Sequence, residues 1–341
     1  MGLDLKPLVK SSPIMISELS GKVIAIDAYN TIYQFLATIR GIMGELLTNN
    51  NGEVTSHLSG LFYRNVNLLA EDIKLIYIFD GKPSPLKSKE IDRRRQVKDD
   101  AFKKYQEAIT AGRFKDARKY GQATSILTDK MVEESKMILS LLGIPYIQAP
   151  SEGEAAAAQL TQSNMAFACA SQDYDSLLFG AKRLIRNLTI SGKRKVPNKN
   201  VYVDIEPEII LQQQLLNEIG LNLEQLVDVG ILIGTDFNPG GIPRIGPKTA
   251  LKLVREYNKL EKIEKIGDLV ANIPYGEIRE IFLKQEPSKV DSIKFDEISY
   301  DALINFLCIE KNFSATRVNA SLDKVKKSVT NRNQSLEKWF N

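Results

Sequence analysis

Histidine is nearly absent from this sequence: His57 stands alone in 341 residues. A histidine-rich zinc site, or a triad that needs an oriented imidazole, is poorly served by one such side chain. There are two cysteines, Cys169 and Cys308, both in apolar surroundings. They read as small core residues of a reducing compartment. No run of 18 apolar residues occurs, so no membrane span is expected. The opening residues, MGLDLKPLVK, lack the apolar stretch of a signal peptide. Met1-Gly2 resembles a myristoylation start, but Lys6 stands where Ser or Thr is required. A cytoplasmic protein is the expectation. Charge of either sign is barely in excess, with 46 Lys and Arg against 42 Asp and Glu. Apolar residues make up 43% of the chain, ample for a sizeable core.

Three short apolar runs end in, or run toward, aspartate. Lys22-Val23-Ile24-Ala25-Ile26-Asp27 and Leu75-Ile76-Tyr77-Ile78-Phe79-Asp80 read as buried strands, and Ala166 to Ala170 precedes Asp173. Helical stretches, including Leu58 to Asp72 and Lys130 to Leu142, separate them. The alternation predicts an α/β fold with a mostly parallel central sheet flanked by helices and joined by right-handed crossovers. Ligands of such sheets bind beyond the carboxyl ends of the strands, where these aspartates fall.

The stretch QAPSEGEAAAAQLTQSNMAFACASQDYDSLLFG, from Gln148 to Gly180, carries two acidic pairs, Glu152/Glu154 and Asp173/Asp175. Each pair alone has an ordinary reading. Ser151 with Glu154 fits a capping box, and Asp173-Tyr174-Asp175 fits turn chemistry. Together with Asp27 and Asp80 they put several carboxylates at one sheet edge. Such crowding repels strongly and suits a divalent-cation site. Gly234-Thr235-Asp236, after a predicted helix Leu221 to Ile233, adds Asp236 as a seventh candidate.

Between Lys82 and Lys119 there are thirteen Lys and Arg against six Asp and Glu. That local excess is larger than the +4 of the whole chain, so the remainder is net acidic. Phe102, Tyr105, Phe114 and Tyr120 are interleaved with the charges. A solvated helical face explains such a run, and so does a surface for a phosphate backbone. Lys193-Arg194-Lys195 reads as a basic hairpin or loop. Asn238 to Leu251 combines a Gly/Pro turn with a helix start, an arrangement whose free amides can bind phosphate. After Ser321 the chain turns polar and ends Gln334-Ser335-Leu336-Glu337-Lys338-Trp339-Phe340-Asn341, which holds the single Trp. This is read as a flexible tail, 321–341, carrying a docking peptide.

Met1 to Leu5, Ile26-Asp27-Ala28-Tyr29-Asn30, Phe79-Asp80-Gly81-Lys82-Pro83, Ala149-Pro150-Ser151-Glu152-Gly153-Glu154-Ala155, Ser171-Gln172-Asp173-Tyr174-Asp175, Gly234-Thr235-Asp236 and Arg244-Ile245-Gly246-Pro247-Lys248 carry a resemblance. In this order they resemble the flap endonucleases of the XPG-type 5′ nuclease family, in their archaeal form. The resemblance implies a PIN-like 5′ nuclease fold with one nuclease domain over 1–320. Its parts are an N-terminal part over about 1–105, a helical arch over about 83–122, an internal part over about 120–260 and a helix–hairpin–helix over about 223–256.

It further implies 5′ flap endonuclease activity, with 5′-3′ exonuclease activity, in Okazaki-fragment processing and base-excision repair. Two Mg²⁺ are implied, with Mn²⁺ as a substitute and K⁺ at the helix–hairpin–helix turn. One ion lies near Asp27, Asp80 and Glu154, with Glu152 through water, and the second near Asp173 and Asp175, with Asp236 outside. Lys87 and Arg94 match the basic pair at the root of the arch, and Tyr33 a residue on which a base stacks. Gly2, Arg244, Gly246 and Lys248 are implied DNA contacts. Leu336, Trp339 and Phe340 are implied contacts of a PCNA-type sliding clamp, on a monomeric nuclease.

Two departures stand out. Members usually carry glycine where this chain has Arg244, and Asn333 takes the place of the usual Gln before Leu336. Other 5′ nucleases of this fold, exonuclease or junction resolvase, and a non-catalytic clamp-bound DNA scaffold remain alternatives.

Overall fold

The computed structural model describes residues 3–190, 192–195, 202–286, 290 and 292–340. The chain starts with β1 (Ser12–Pro13), β2 (Val23–Asp27), α1 (Ala28–Thr38), α2 (Ser56–Ala70) and β3 (Lys74–Phe79). A 3-10 turn at Pro85–Lys87 then leads into α3 (Ser88–Thr110) and α4 (Phe114–Gly121). Next come α5 (Asp129–Leu141), β4 (Tyr146–Gln148), α6 (Gly153–Gln162), β5 (Ala168–Ala170), α7 (Asp175–Leu178) and β6 (Arg183–Arg186). A hairpin of β7 (Gly192–Lys195) and β8 (Tyr202–Ile205) precedes β9 (Glu208–Leu211), α8 (Gln212–Ile219), α9 (Leu223–Ile233) and α10 (Pro247–Tyr257). Last are α11 (Gly267–Ala271), α12 (Tyr275–Leu283), α13 (Tyr300–Ile304) and α14 (Ala315–Phe340).

The seven-stranded sheet runs β1-β9-β6-β5-β2-β3-β4. Its core is parallel: β2 pairs with both β3 and β5, β3 with β4, and β5 with β6. Antiparallel pairing is confined to β9, between β6 and β1. Strand side chains point alternately to the two faces. In β2, Ala25 joins one core with α6, α7 and α9, while Ile24 and Ile26 join the other with α1, α2 and α14. Burial on both faces explains why these strands read as continuous apolar runs. No helix among the described residues is long and apolar enough to cross a membrane.

Expected and observed elements agree within a few residues; the strand read as Ala166 to Ala170 begins at Ala168. The chain's end needs correction. The segment expected as a flexible tail from 321 onward belongs to α14, which continues helical to Phe340. Leu322 and Val325 are buried in the core shared with α2, and the Ser328 hydroxyl donates to the Ala70 carbonyl. The polar composition hid a one-faced helix, whose sparse apolar residues at helical spacing suffice to seat it. Leu336, Trp339 and Phe340 fall on its last turns, where side chains lie outside the described residues. Gly2 also lies outside them.

Candidate active site at the carboxyl edge of the sheet

Three neighbouring parallel strands deliver their carboxyl ends to one place. Asp27 ends β2 and caps α1, accepting from the Asn30 amide at 3.0 Å. Asp80 follows β3 and accepts from the Gly153 amide at 2.6 Å. A Cβ on Gly153 would stand 2.7 Å from that carboxylate oxygen, so only glycine lets the start of α6 meet Asp80. Glu152 occupies the N-cap position of α6 with its side chain turned elsewhere. The capping box that was the ordinary alternative for Ser151 and Glu154 is therefore not formed. Glu154 instead accepts from the Ser171 hydroxyl at 2.9 Å. Asp173 accepts from the Asn30 side-chain amide at 2.8 Å, and Asp175 is the first residue of α7. The loop after α9 brings in Asp236.

Burial and crowding work against negative charge along this edge. Burial, and then mutual repulsion, raise Asp27 and Glu154 well above the usual carboxylate range. Burial also raises Asp80, Glu152 and Asp173. Asp175 is pushed up to about 7 by burial and by Asp236 and Asp173. Its Oδ1 is buried without a hydrogen-bond partner among the described residues. An oxygen-only set of carboxylates that resist charging fits a hard divalent cation. Among the described residues, no three Asp, Glu, His or Cys side chains close into one compact ligand cluster. The carboxylates instead line a bowl at the sheet edge, in which Gly153, Asn30 and Ser171 orient Asp80, Asp173 and Glu154 in turn.

The root of the helical arch supplies positive charge to the bowl. Lys87 Nζ donates to Glu152 and lies 3.6 Å from Asp236. Arg94 Nη2 donates to both oxygens of Asp236, at 2.7 and 2.9 Å. Burial opposes the charge on both cations, but the facing carboxylates outweigh it and raise both pKa values above their usual levels. Beyond this root the arch is exposed; α3 buries only Glu90, Ala101 and Ala108. Tyr33 sits on α1 at the surface rather than in the core, with Lys98 Nζ of α3 4.6 Å from its ring centre.

Arg40 ties the returning limb of the arch to the loop after α1. Its guanidinium donates to the carbonyls of Leu36 and Gly44 and to the Ser125 hydroxyl. Gly44 and Gly121 meet there: a Cβ on Gly121 would come within 2.7 Å of the Gly44 carbonyl, and one on Gly44 within 2.7 Å of the Arg118 Cα.

The hairpin–helix lies farther along. Gly246 opens α10 without a side-chain cap, and a Cβ there meets nothing within 4 Å. Gly246, Lys248 and Arg244 are solvent-exposed. Arg244 holds φ +67°, the left-handed region that favours glycine, which accounts for glycine being usual there.

Sequence reasoning missed the roles of Asn30, Ser171, Gly153 and Glu90. Asn30, Ser171 and Gly153 lie inside quoted motifs; their signal was position, three residues past a strand-end Asp or two before another, rather than charge. Glu90 was lost in the charge run.

The XPG N-terminal domain matches residues 4–101, and the XPG I-region matches 143–236. Flap endonuclease 1 of Nitrosopumilus maritimus is 55% identical over 340 residues, covering 100% of both chains. The solved flap endonuclease-1 from Methanococcus jannaschii matches with TM-score 0.75 and 38% identity, over 97% of this chain and 100% of that one. The catalytic core of Rad2 in complex with DNA substrate shares the fold at TM-score 0.69 and 22% identity, over 94% and 96% of the two chains. Full-length identity of this order, on a fold whose sheet edge gathers the acidic residues, shows that the chain belongs to the flap endonuclease family, structure-specific, metal-dependent nucleases that act on DNA.

Proposed function

We propose that this enzyme hydrolyses a phosphodiester of branched DNA next to the junction that bears a 5′ single-stranded flap, with two Mg²⁺ at the carboxylate bowl. The observation that carries the reading is the meeting of the bowl with Lys87 and Arg94 at the root of a basic arch. Asp27, Asp80 and Glu154 would hold one ion, with Glu152 through water, and Asp173 and Asp175 the other, with Asp236 outside. When bound, the ions lower the pKa of the attacking water and stabilise charge on the phosphate and the leaving oxygen. Mn²⁺ has the same oxygen preference and would substitute.

The remaining work belongs to the chain itself. Lys87 and Arg94 orient the scissile phosphate and neutralise charge that develops on it. Tyr33 offers an exposed ring for a base, and Lys98 must leave it when the base arrives. The arch admits a single strand and excludes internal duplex. Gly246, Lys248 and Arg244 hold duplex behind the junction through amides and positive charge, with K⁺ at the turn. Leu336, Trp339 and Phe340, spaced three and four apart in sequence, would dock on a sliding clamp. The setting is Okazaki-fragment processing and base-excision repair, on DNA in the cytoplasm.

The test is a Mg²⁺ assay on 5′-labelled double-flap DNA with product length mapped, run beside gapped and four-way-junction DNA. One product near the junction, lost in EDTA, is expected. Faster cutting of the four-way junction, or binding without cutting, overturns the reading. Deleting Leu336 to Asn341 should leave clamp-free cleavage intact and abolish stimulation by the cognate clamp. Full stimulation of the truncated enzyme would sink the docking role.

A further inference from the structure

Glu90 is out of place. It lies in the first turn of α3, the most polar and exposed of the long helices, yet it is only 3% exposed. An acid near a helix N-terminus gains from the helix dipole, but that gain asks nothing of burial or of partners. Glu90 has both. Arg93 donates to its two oxygens through Nε and Nη2, each at 2.7 Å. Arg94 donates to Oε1 through Nε, also at 2.7 Å. Burial opposes the charge on Glu90, but these bonds win and bring its pKa down to about 2.

The consequence lies with Arg94. A guanidinium is a rigid planar fork, so fixing two of its nitrogens fixes the third. Nε is held by Glu90, from one side, and Nη2 by Asp236, from another element. Nη1 makes no hydrogen bond among the described residues. It is the edge left for a ligand. Arg93 closes a bidentate pair with Glu90 and offsets its charge. Arg94 therefore keeps its own positive charge while taking its direction from Glu90.

We infer that Glu90 is a positioning residue for cleavage, aiming the free Nη1 edge of Arg94 at the scissile phosphate. The inference rests on the reading of Arg94 as a phosphate contact. It separates orientation, supplied by Glu90, from charge, supplied by Arg94.

The experiment is a double-mutant cycle on a 5′-flap duplex, at saturating enzyme and single turnover. Glu90→Ala should slow cleavage about 20-fold, because the loss falls on the transition state. Affinity for the same DNA in EDTA should stay within about twofold, and the melting temperature within a few degrees. Glu90→Gln keeps an acceptor for Arg94 Nε and should recover the rate to within about threefold of wild type. In an Arg94→Ala background, Glu90→Ala should cost less than about twofold more. An equal loss in both backgrounds overturns the proposal, as does Glu90→Gln cutting no faster than Glu90→Ala. Arg94→Ala cutting at the wild-type rate overturns both this and the reading it rests on.

A second readout needs no cleavage. The ¹⁵Nε–H of Arg94 should be protected from exchange with water in wild type and Glu90→Gln, and unprotected in Glu90→Ala. An unprotected Nε–H in wild type overturns the positioning role even where flaps are cut as proposed.

Discussion

The carboxylate bowl and the arch above it carry opposite charge and are held in opposite ways. Bowl side chains are buried or half-buried, stand on strand ends and helix starts, and have orienting partners from other elements: Asn30 for Asp173, Ser171 for Glu154, Gly153 for Asp80. Arch side chains are mostly exposed; Ile91, Val97, Phe102 and Phe114 each show roughly half their surface. Its helix α3 spans Ser88–Thr110 and packs chiefly on α4. The bowl is thus preorganised by the sheet, at the expense of repulsion among its acids, whereas the arch depends on local helix formation and a few anchors. Regions of that second kind open first, well below the free energy of global unfolding. Among the described residues the two are bonded where Lys87 and Arg94 reach Glu152 and Asp236, and that contact is where the comparison can be tested.

The largest effect is expected in the bowl. Asp80→Ala or Asp173→Ala should lower Mg²⁺-dependent cleavage on the order of 1,000-fold, since a metal ion is worth several kcal/mol to the transition state. Each variant should still fold and bind flap DNA; near-normal cutting by either would remove it from the metal site. At the contact, Arg94→Ala and Lys87→Ala should slow single-turnover cleavage about 100-fold, the scale of losing one preorganised donor. Junction affinity should change much less. If affinity falls in proportion while the saturated rate holds, these side chains bind DNA and do no more.

A third test probes the burial and the repulsion that together oppose charge in the bowl. Asp175 is raised from 3.8 to about 7, so its ionised form is penalised in the folded state. That penalty is absent below about pH 4, grows as pH rises, and is complete above about pH 7. In EDTA the melting temperature should therefore rise by several degrees as pH falls from 8 to 5.5. Mg²⁺ should flatten the dependence, and Asp175→Asn should reduce it. A melting temperature independent of pH in EDTA would mean that neither burial nor neighbouring acids penalise the ionised form of Asp175. The smallest effect is expected at the hairpin–helix. A Cβ at Gly246 meets nothing in the protein, so in Gly246→Val, with melting temperature checked because this is the N-cap of α10, DNA binding should weaken severalfold, as for one lost phosphate contact. The loss should be confined to substrates with long downstream duplex; equal loss on short arms places the defect elsewhere.

Much of this was legible in the sequence because the sheet is buried on both faces. Apolar runs such as Leu75 to Phe79 mark their own ends, and Asp27 and Asp80 are the first polar residues after them. The acidic pairs were visible for the same reason. What could not be read was partnership. Ser151 looked like a helix cap, but the cap position passed to Glu152 once Gly153 had to meet Asp80. Glu90 looked like any acid of a charge run, since nothing in its spacing shows that Arg93 and Arg94 both turn back onto it or that Arg94 also reaches Asp236, 142 residues away. The end of the chain misled because a helix lying on α2 needs only Val318, Leu322 and Val325, too few to stand out among Lys and Asn.

Gly44 and Gly121 have a bearing on how this fold can vary in length. The outgoing limb of the arch is fastened at Lys87 and Arg94, and the returning limb at Arg40 and the Gly44–Gly121 contact. Between these fastenings the turn at Ala111-Gly112-Arg113 is exposed, and a Cβ on Gly112 meets nothing within 4 Å. Insertions and deletions are therefore cheap at the tip and ruinous at the feet. The arch behaves as a handle of adjustable span riveted to a fixed base, so its reach can be retuned by lengthening the turn after Thr110 without moving a single acidic side chain.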